Sequence, residues 1–93
     1  MNINIDFDKI NKIYGIETLN NIKENINEVN KNISYMYKLG FTDIEDIFER
    51  ETLLFICDNK EFKNKIDKLI RRLGATYVND IENDLSLLEE LEW

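Results

Sequence analysis

The sequence predicts an all-α protein: a short right-handed stack of about two and a half helical units of ~34 residues, forming one domain over residues 1–93. Three observations carry that prediction. The chain matches itself at a shift of 34 residues, its aliphatic side chains recur at three- and four-residue steps, and a Leu-Gly pair closes each long aliphatic stretch.

At the 34-residue shift, positions 5–19 fall on 39–53, and six of the fifteen are identical: Phe7/Phe41, Ile10/Ile44, Ile13/Ile47, Glu17/Glu51, Thr18/Thr52 and Leu19/Leu53. A second shift brings Leu73-Gly74, Thr76, Val78, Ile81 and Ser86-Leu87-Leu88 onto Leu39-Gly40, Thr42, Ile44, Ile47 and Thr52-Leu53-Leu54. Asp8, Thr42 and Thr76 are N-cap residue types, each followed by inward-facing aliphatics, so each is expected to open a short helix. Thr18, Thr52 and Ser86, each followed by Leu, are expected to start a second short helix. A long helix then closes the unit. Its apolar stripe is Leu19, Ile22, Ile26, Val29, Ile33 and Met36 in the first copy, and Phe62, Ile66, Leu69, Ile70 and Leu73 in the second, behind an Asp58-Asn59 cap. Helices are therefore expected at about 8–14, 18–39, 42–50, 52–57, 59–73, 76–83 and 85–91. The first three residues have strand character but no partner strand, and with no Pro and no Gly- or Ser-rich stretch nothing reads as a linker.

Composition sets the limits. Apolar residues make up 43% and aromatics 11%, enough for a core, and a single Cys allows no internal disulfide, so that core carries the stability alone. The N-terminus lacks the basic flank and apolar run of a signal peptide, and no later stretch reaches the ~18 apolar residues of a membrane span. A cytoplasmic protein with no membrane partner is expected. Cys57, within Leu53-Leu54-Phe55-Ile56-Cys57, reads as a small core residue. Nineteen acidic against twelve basic residues give a net charge of -7, which repels polynucleotides and anionic lipid at long range. The charge is divided: residues 60–74 carry +4, while residues 75–93 hold six acids and no base. Such a bipolar surface suits protein contacts, including a homodimer.

The run Tyr37-Lys38-Leu39-Gly40-Phe41-Thr42-Asp43-Ile44-Glu45-Asp46-Ile47-Phe48, through Leu53-Leu54-Phe55-Ile56, to Phe62 and on to Leu73-Gly74, resembles the mitochondrial transcription termination factor repeat. The resemblance covers residues 39–74 best and rests on caps, turns and core anchors. It implies three-helix units stacked into a curved solenoid whose basic concave side holds nucleic acid. This chain has few units, a strongly acidic balance and no proline around Arg50 and Glu51, where the family commonly places one, and no functional residue carries over from the motif.

The binding candidates are the cations of the second long helix: Lys60, Lys63, Lys65, Lys68, Arg71 and Arg72. They are positioned to meet phosphates or an acidic partner, or else form the solvated side of a helix whose other side is buried; Arg71 and Arg72 also complement the helix dipole. Leu87, Leu88, Leu91 and Trp93 are the interface candidates, capping the open end of the stack where a partner or second copy would dock. The acids from Asp80 to Glu92 read as a solvated face or as an imitation of a phosphate backbone. Asp80-Ile81-Glu82-Asn83-Asp84 is not a calcium loop, because Leu85 and Leu91 stand where Gly and the bidentate Glu are required. With no His and one Cys, neither a structural zinc site nor a Cys-His or Ser-His-Asp nucleophile can be assembled. The expectation is a non-enzymatic protein-binding or adaptor module without cofactor or metal. The alternatives are nucleic-acid binding through residues 60–72 and inhibition by an acidic surface that mimics DNA.

Overall fold

A computed structural model describes residues 5–91 of the protein. Among these there are eight α-helices and no strand: α1 (Phe7–Tyr14), α2 (Ile16–Glu24), α3 (Ile26–Leu39), α4 (Ile44–Arg50), α5 (Thr52–Phe55), α6 (Asn59–Leu73), α7 (Tyr77–Asn83) and α8 (Ser86–Glu89). The radius of gyration is 12.6 Å, close to the ~12 Å of a compact chain of this length. No described helix is long and apolar enough to cross a membrane. The strand-like first three residues lie outside the described residues.

The two longest helices, α3 and α6, pack on each other and form the spine. Each has one buried stripe at helical spacing: Val29, Ile33 and Met36 on α3, and Phe62, Ile66 and Leu69 on α6, all at most 2% exposed. Helices α4 and α5 fill the wedge beside α3 with Ile44, Ile47, Phe48, Leu54 and Phe55. An aromatic column runs through this core. Phe48 meets Phe55 at 5.3 Å between ring centres, Phe55 meets Phe62 at 5.1 Å, and Phe62 meets Tyr35 at 6.5 Å, contacts that add ~0.5–1.5 kcal/mol each beyond area burial. The α1–α2 hairpin leans on the end of α4, where the Tyr14 hydroxyl donates to the Glu49 and Arg50 carbonyls at 2.8 and 3.0 Å. At the other end α7 returns to the α3 terminus, and the Tyr77 hydroxyl donates to the Leu39 carbonyl at 2.8 Å.

Helix α6 spans the residues expected of it because its signals are local. The Asp58 carboxylate accepts from the Lys60 and Glu61 amides at 2.7 and 3.4 Å. Elsewhere the structure corrects the sequence reading. The expected helix 18–39 is two helices divided at Asn25, where the backbone leaves helical geometry at φ -113° and the side-chain amide joins the backbone amide in donating to the Asn21 carbonyl, at 2.9 and 3.1 Å. The expected caps Asp8, Thr42 and Thr76 do not cap with their side chains. Asp6 caps α1, accepting from the Lys9 amide at 3.1 Å; the Thr42 hydroxyl donates instead to the Glu82 carboxylate at 2.9 Å, and that of Thr76 to Asp80 at 2.9 Å. Thr18 lies inside α2; Thr52 and Ser86 open α5 and α8 as expected, although the Thr52 hydroxyl turns back to the Phe48 carbonyl at 2.6 Å. Gly40 ends α3 as expected: at φ 99° it lets the Gly40 amide reach the Tyr37 carbonyl and the Phe41 amide reach that of Met36.

Equivalent positions have unequal surroundings at the chain ends. Ile10 and Ile44 are both buried, while Val78 is partly buried against the same core; Ile47 and Ile81 are buried, yet Ile13 is 56% exposed.

A lysine-lined cleft between the long helices

Residues 31, 34, 35 and 38 are three, four and seven apart and so share one face of α3, on the flank of its buried stripe. Beside that flank stand Asn59 and Lys63, one turn apart on α6. Together with Asn30 they line an open cleft of about 370 Å³ that has Lys31, Lys38 and Lys63 in its wall. Tyr35, the last ring of the aromatic column, is part of the same lining. The Lys63 ammonium lies 5.4 Å from the Tyr35 ring centre, and the Tyr35 hydroxyl donates to the Asp67 carboxylate. Burial, reinforced by that acceptor, pushes the Tyr35 phenol up to about 12.

Polar contacts lock the two walls together behind the cleft. Asn32, fully buried on α3, donates to the Phe55 and Cys57 carbonyls at 2.9 and 3.0 Å and accepts from the Asn59 side chain at 2.9 Å. One turn earlier, Glu28 accepts from the Asn59 backbone amide at 3.2 Å and pairs with Lys31 at 3.2 Å. Asn32 therefore takes part in the core although its side chain is polar.

The six cations predicted on residues 60–72 have different neighbours. Lys63 lines the cleft, and Arg71 borders a second depression with Asp67 and Ile70. Lys65 leans toward Glu61 at 3.9 Å, and Arg72 pairs with Glu90 at 2.9 Å, which spends its charge on the chain's own acidic end. Lys60 and Lys68 are exposed. Among the described residues, no acidic group lies within 4.0 Å of Lys38, Lys60, Lys63, Lys68 or Arg71. Lys31 and Lys38 escaped the sequence reading. The signal available was their seven-residue spacing on α3, with Ser34 and Tyr35 between them.

Of the interface candidates, Leu88 is fully buried, and Leu87 and Leu91 are partly buried against the core; Trp93 lies outside the described residues. Among the described residues the large exposed apolar side chains are Phe7, Ile13, Ile16 and Leu53. Cys57 is half-buried; its thiol donates to the Leu54 carbonyl at 3.3 Å, and burial raises its pKa. Among the described residues no three His, Cys, Asp or Glu side chains gather around a common metal position. Comparison with known proteins finds no matching family model, no similar curated protein and no similar solved structure.

Proposed function

We propose that this chain is a non-enzymatic protein-binding module, built as a right-handed stack of about two and a half ~34-residue units, that meets its partner at the cleft between α3 and α6. The observation that carries the reading is that three lysines, Lys31, Lys38 and Lys63, line one cleft together with the hydrogen-bonding side chains of Asn30, Ser34 and Asn59. Rigid helices hold all three, and the Asn32 contacts fasten those helices to each other, so a partner would meet a preorganised surface. The repeat is supported by helix spacing: α6 starts and ends 33 and 34 residues after α3, and α8 lies 34 residues after α5. A structural role for Cys57 agrees with a module that performs no chemistry.

A photocrosslinking residue at Ser34, introduced in the protein's own cells, tests the reading. A specific protein adduct that disappears when Lys31, Lys38 and Lys63 are all changed to Gln is the expected result. Adducts unchanged by the triple substitution would refute it.

One observation favours a second reading, the nucleic-acid binding implied by the transcription-termination-factor resemblance: five cations of α3 and α6 lack a nearby acidic group among the described residues. The net charge of -7 opposes it. Fluorescence anisotropy with short DNA and RNA at low salt decides between them, since phosphate contacts must give binding that weakens steeply as salt rises.

A further inference from the structure

We infer that the cleft receives a short, extended acidic segment of a partner protein, with carboxylates on alternate residues. The inference rests on the protein-binding reading and specifies its ligand. Lys31 and Lys38 are seven residues apart on α3, which places their Cα atoms ~10 Å apart along the helix axis. Lysines spread over that length along one wall, with Lys63 on the other, suit several separated anionic groups better than a single small anion. An extended peptide advances ~3.3 Å per residue and turns alternate side chains to the same side, so two or three carboxylates on one face of a four- or five-residue segment match the cleft.

The other side chains of the cleft separate a peptide from a polynucleotide. Asn30, Ser34 and Asn59 can each donate and accept hydrogen bonds, whereas the lysines only donate. A peptide backbone offers both N–H and C=O groups to such neighbours, while a phosphodiester offers acceptors alone. Two of the lining residues each hold a carboxylate beside them: Lys31 pairs with Glu28, and Tyr35 donates to Asp67. Those carboxylates repel a continuous row of phosphates, but a peptide can place an uncharged residue or an N–H beside each. Lysine is suited to this use, because a point charge on a flexible stem tolerates variation in where each carboxylate arrives.

The test is an NMR titration of the full chain, following backbone amides of residues 30–38 and 59–63. The probes are an end-capped peptide alternating Glu and Gly, its Gln-for-Glu counterpart, and a short single-stranded oligothymidylate. The Glu peptide should give saturable shifts confined to those amides, weakened about threefold by each of K38Q and K63Q and further by added salt. The Gln peptide should give none. The inference is overturned by absence of saturable shifts, by equal response to the Gln peptide, or by tighter binding of the oligothymidylate. It is also overturned if the same amides shift with protein concentration alone, since the occupant is then a second copy. Unaltered circular dichroism of both variants excludes misfolding. Loss of the Ser34 adduct in the triple variant alongside a silent Glu peptide would remove the acidic ligand and leave the protein-binding reading intact.

Discussion

Replacing Asn32 with Leu removes a buried amide and leaves its partners in place. Two acceptors lose their donor: the Phe55 carbonyl, whose bond is buried, and the Cys57 carbonyl, whose bond is partly buried. The Asn59 side chain loses its acceptor but lies nearer the surface. A buried polar group left unpaired costs ~1–3 kcal/mol, and the two partly exposed partners recover much of theirs from water, so the expected loss is about 2–4 kcal/mol. That is a large share of the ~5 kcal/mol typical of the lower end of domain stability. At about 2.1 cal/mol/K per residue, unfolding this chain carries an entropy near 0.2 kcal/mol/K, so the midpoint should fall by roughly 10–20 °C. Thermal melts followed by circular dichroism read it directly. The control N59A, which deletes only the Asn59–Asn32 bond and leaves one buried acceptor, should lose about 1–2 kcal/mol, less than N32L. If N32L melts within a few degrees of the parent, or above it, the amide is not a structural tie and the reasoning fails.

Three further outcomes are expected. Phe62→Ala empties the centre of the aromatic column and should cost about 3–5 kcal/mol, enough to abolish most helical signal at room temperature; a cooperative melt within 10 °C of the parent, by the same ~0.2 kcal/mol/K, would contradict it. Gly40→Ala should cost about 1–2 kcal/mol, from the left-handed backbone alone, because the added Cβ would meet Val78 at an ordinary 3.9 Å; urea melts measure it, and an unchanged midpoint would locate the turn elsewhere. Tyr35 has a folded pKa of about 12 against 10.0 unfolded, so its contribution is complete below pH 10 and disappears as pH rises through 12. Spectrophotometric titration should show one tyrosine ionising late, and Y35F should lose the late step; a late step persisting in Y35F would assign it to another ring.

How much was legible depends on how far each signal travels along the chain. Helix α6 could be read to the residue because Asp58, the Phe62–Ile66–Leu69 stripe and Gly74 all act within a turn of what they specify. The break at Asn25 was hidden, because the stripe from Ile22 to Val29 runs through it unbroken while the backbone beneath leaves helical geometry. Thr42 failed as a cap for the opposite reason: Glu82, forty residues on, captures its hydroxyl. The cleft shares that difficulty. Lys63 was visible on its own helix, but nothing near Lys31 and Lys38 in sequence announces that α3 brings them beside it. Asn32 sits among polar neighbours, and only the position of the α5–α6 link explains its burial.

That asparagine bears on the cleft as well as on stability. Two helices joined only by Ile, Val, Leu and Met can slide past each other by a turn, about 5.4 Å, and meet nearly equivalent apolar surface. The Asn32–Asn59 amide pair favours one alignment, since any other strands the buried Asn32 amide among hydrocarbon. Fixing the longitudinal setting of α6 against α3 also fixes how far Lys63 stands from Lys31 and Lys38. A core amide that touches no ligand thus acts as the gauge for charges on the outer surface.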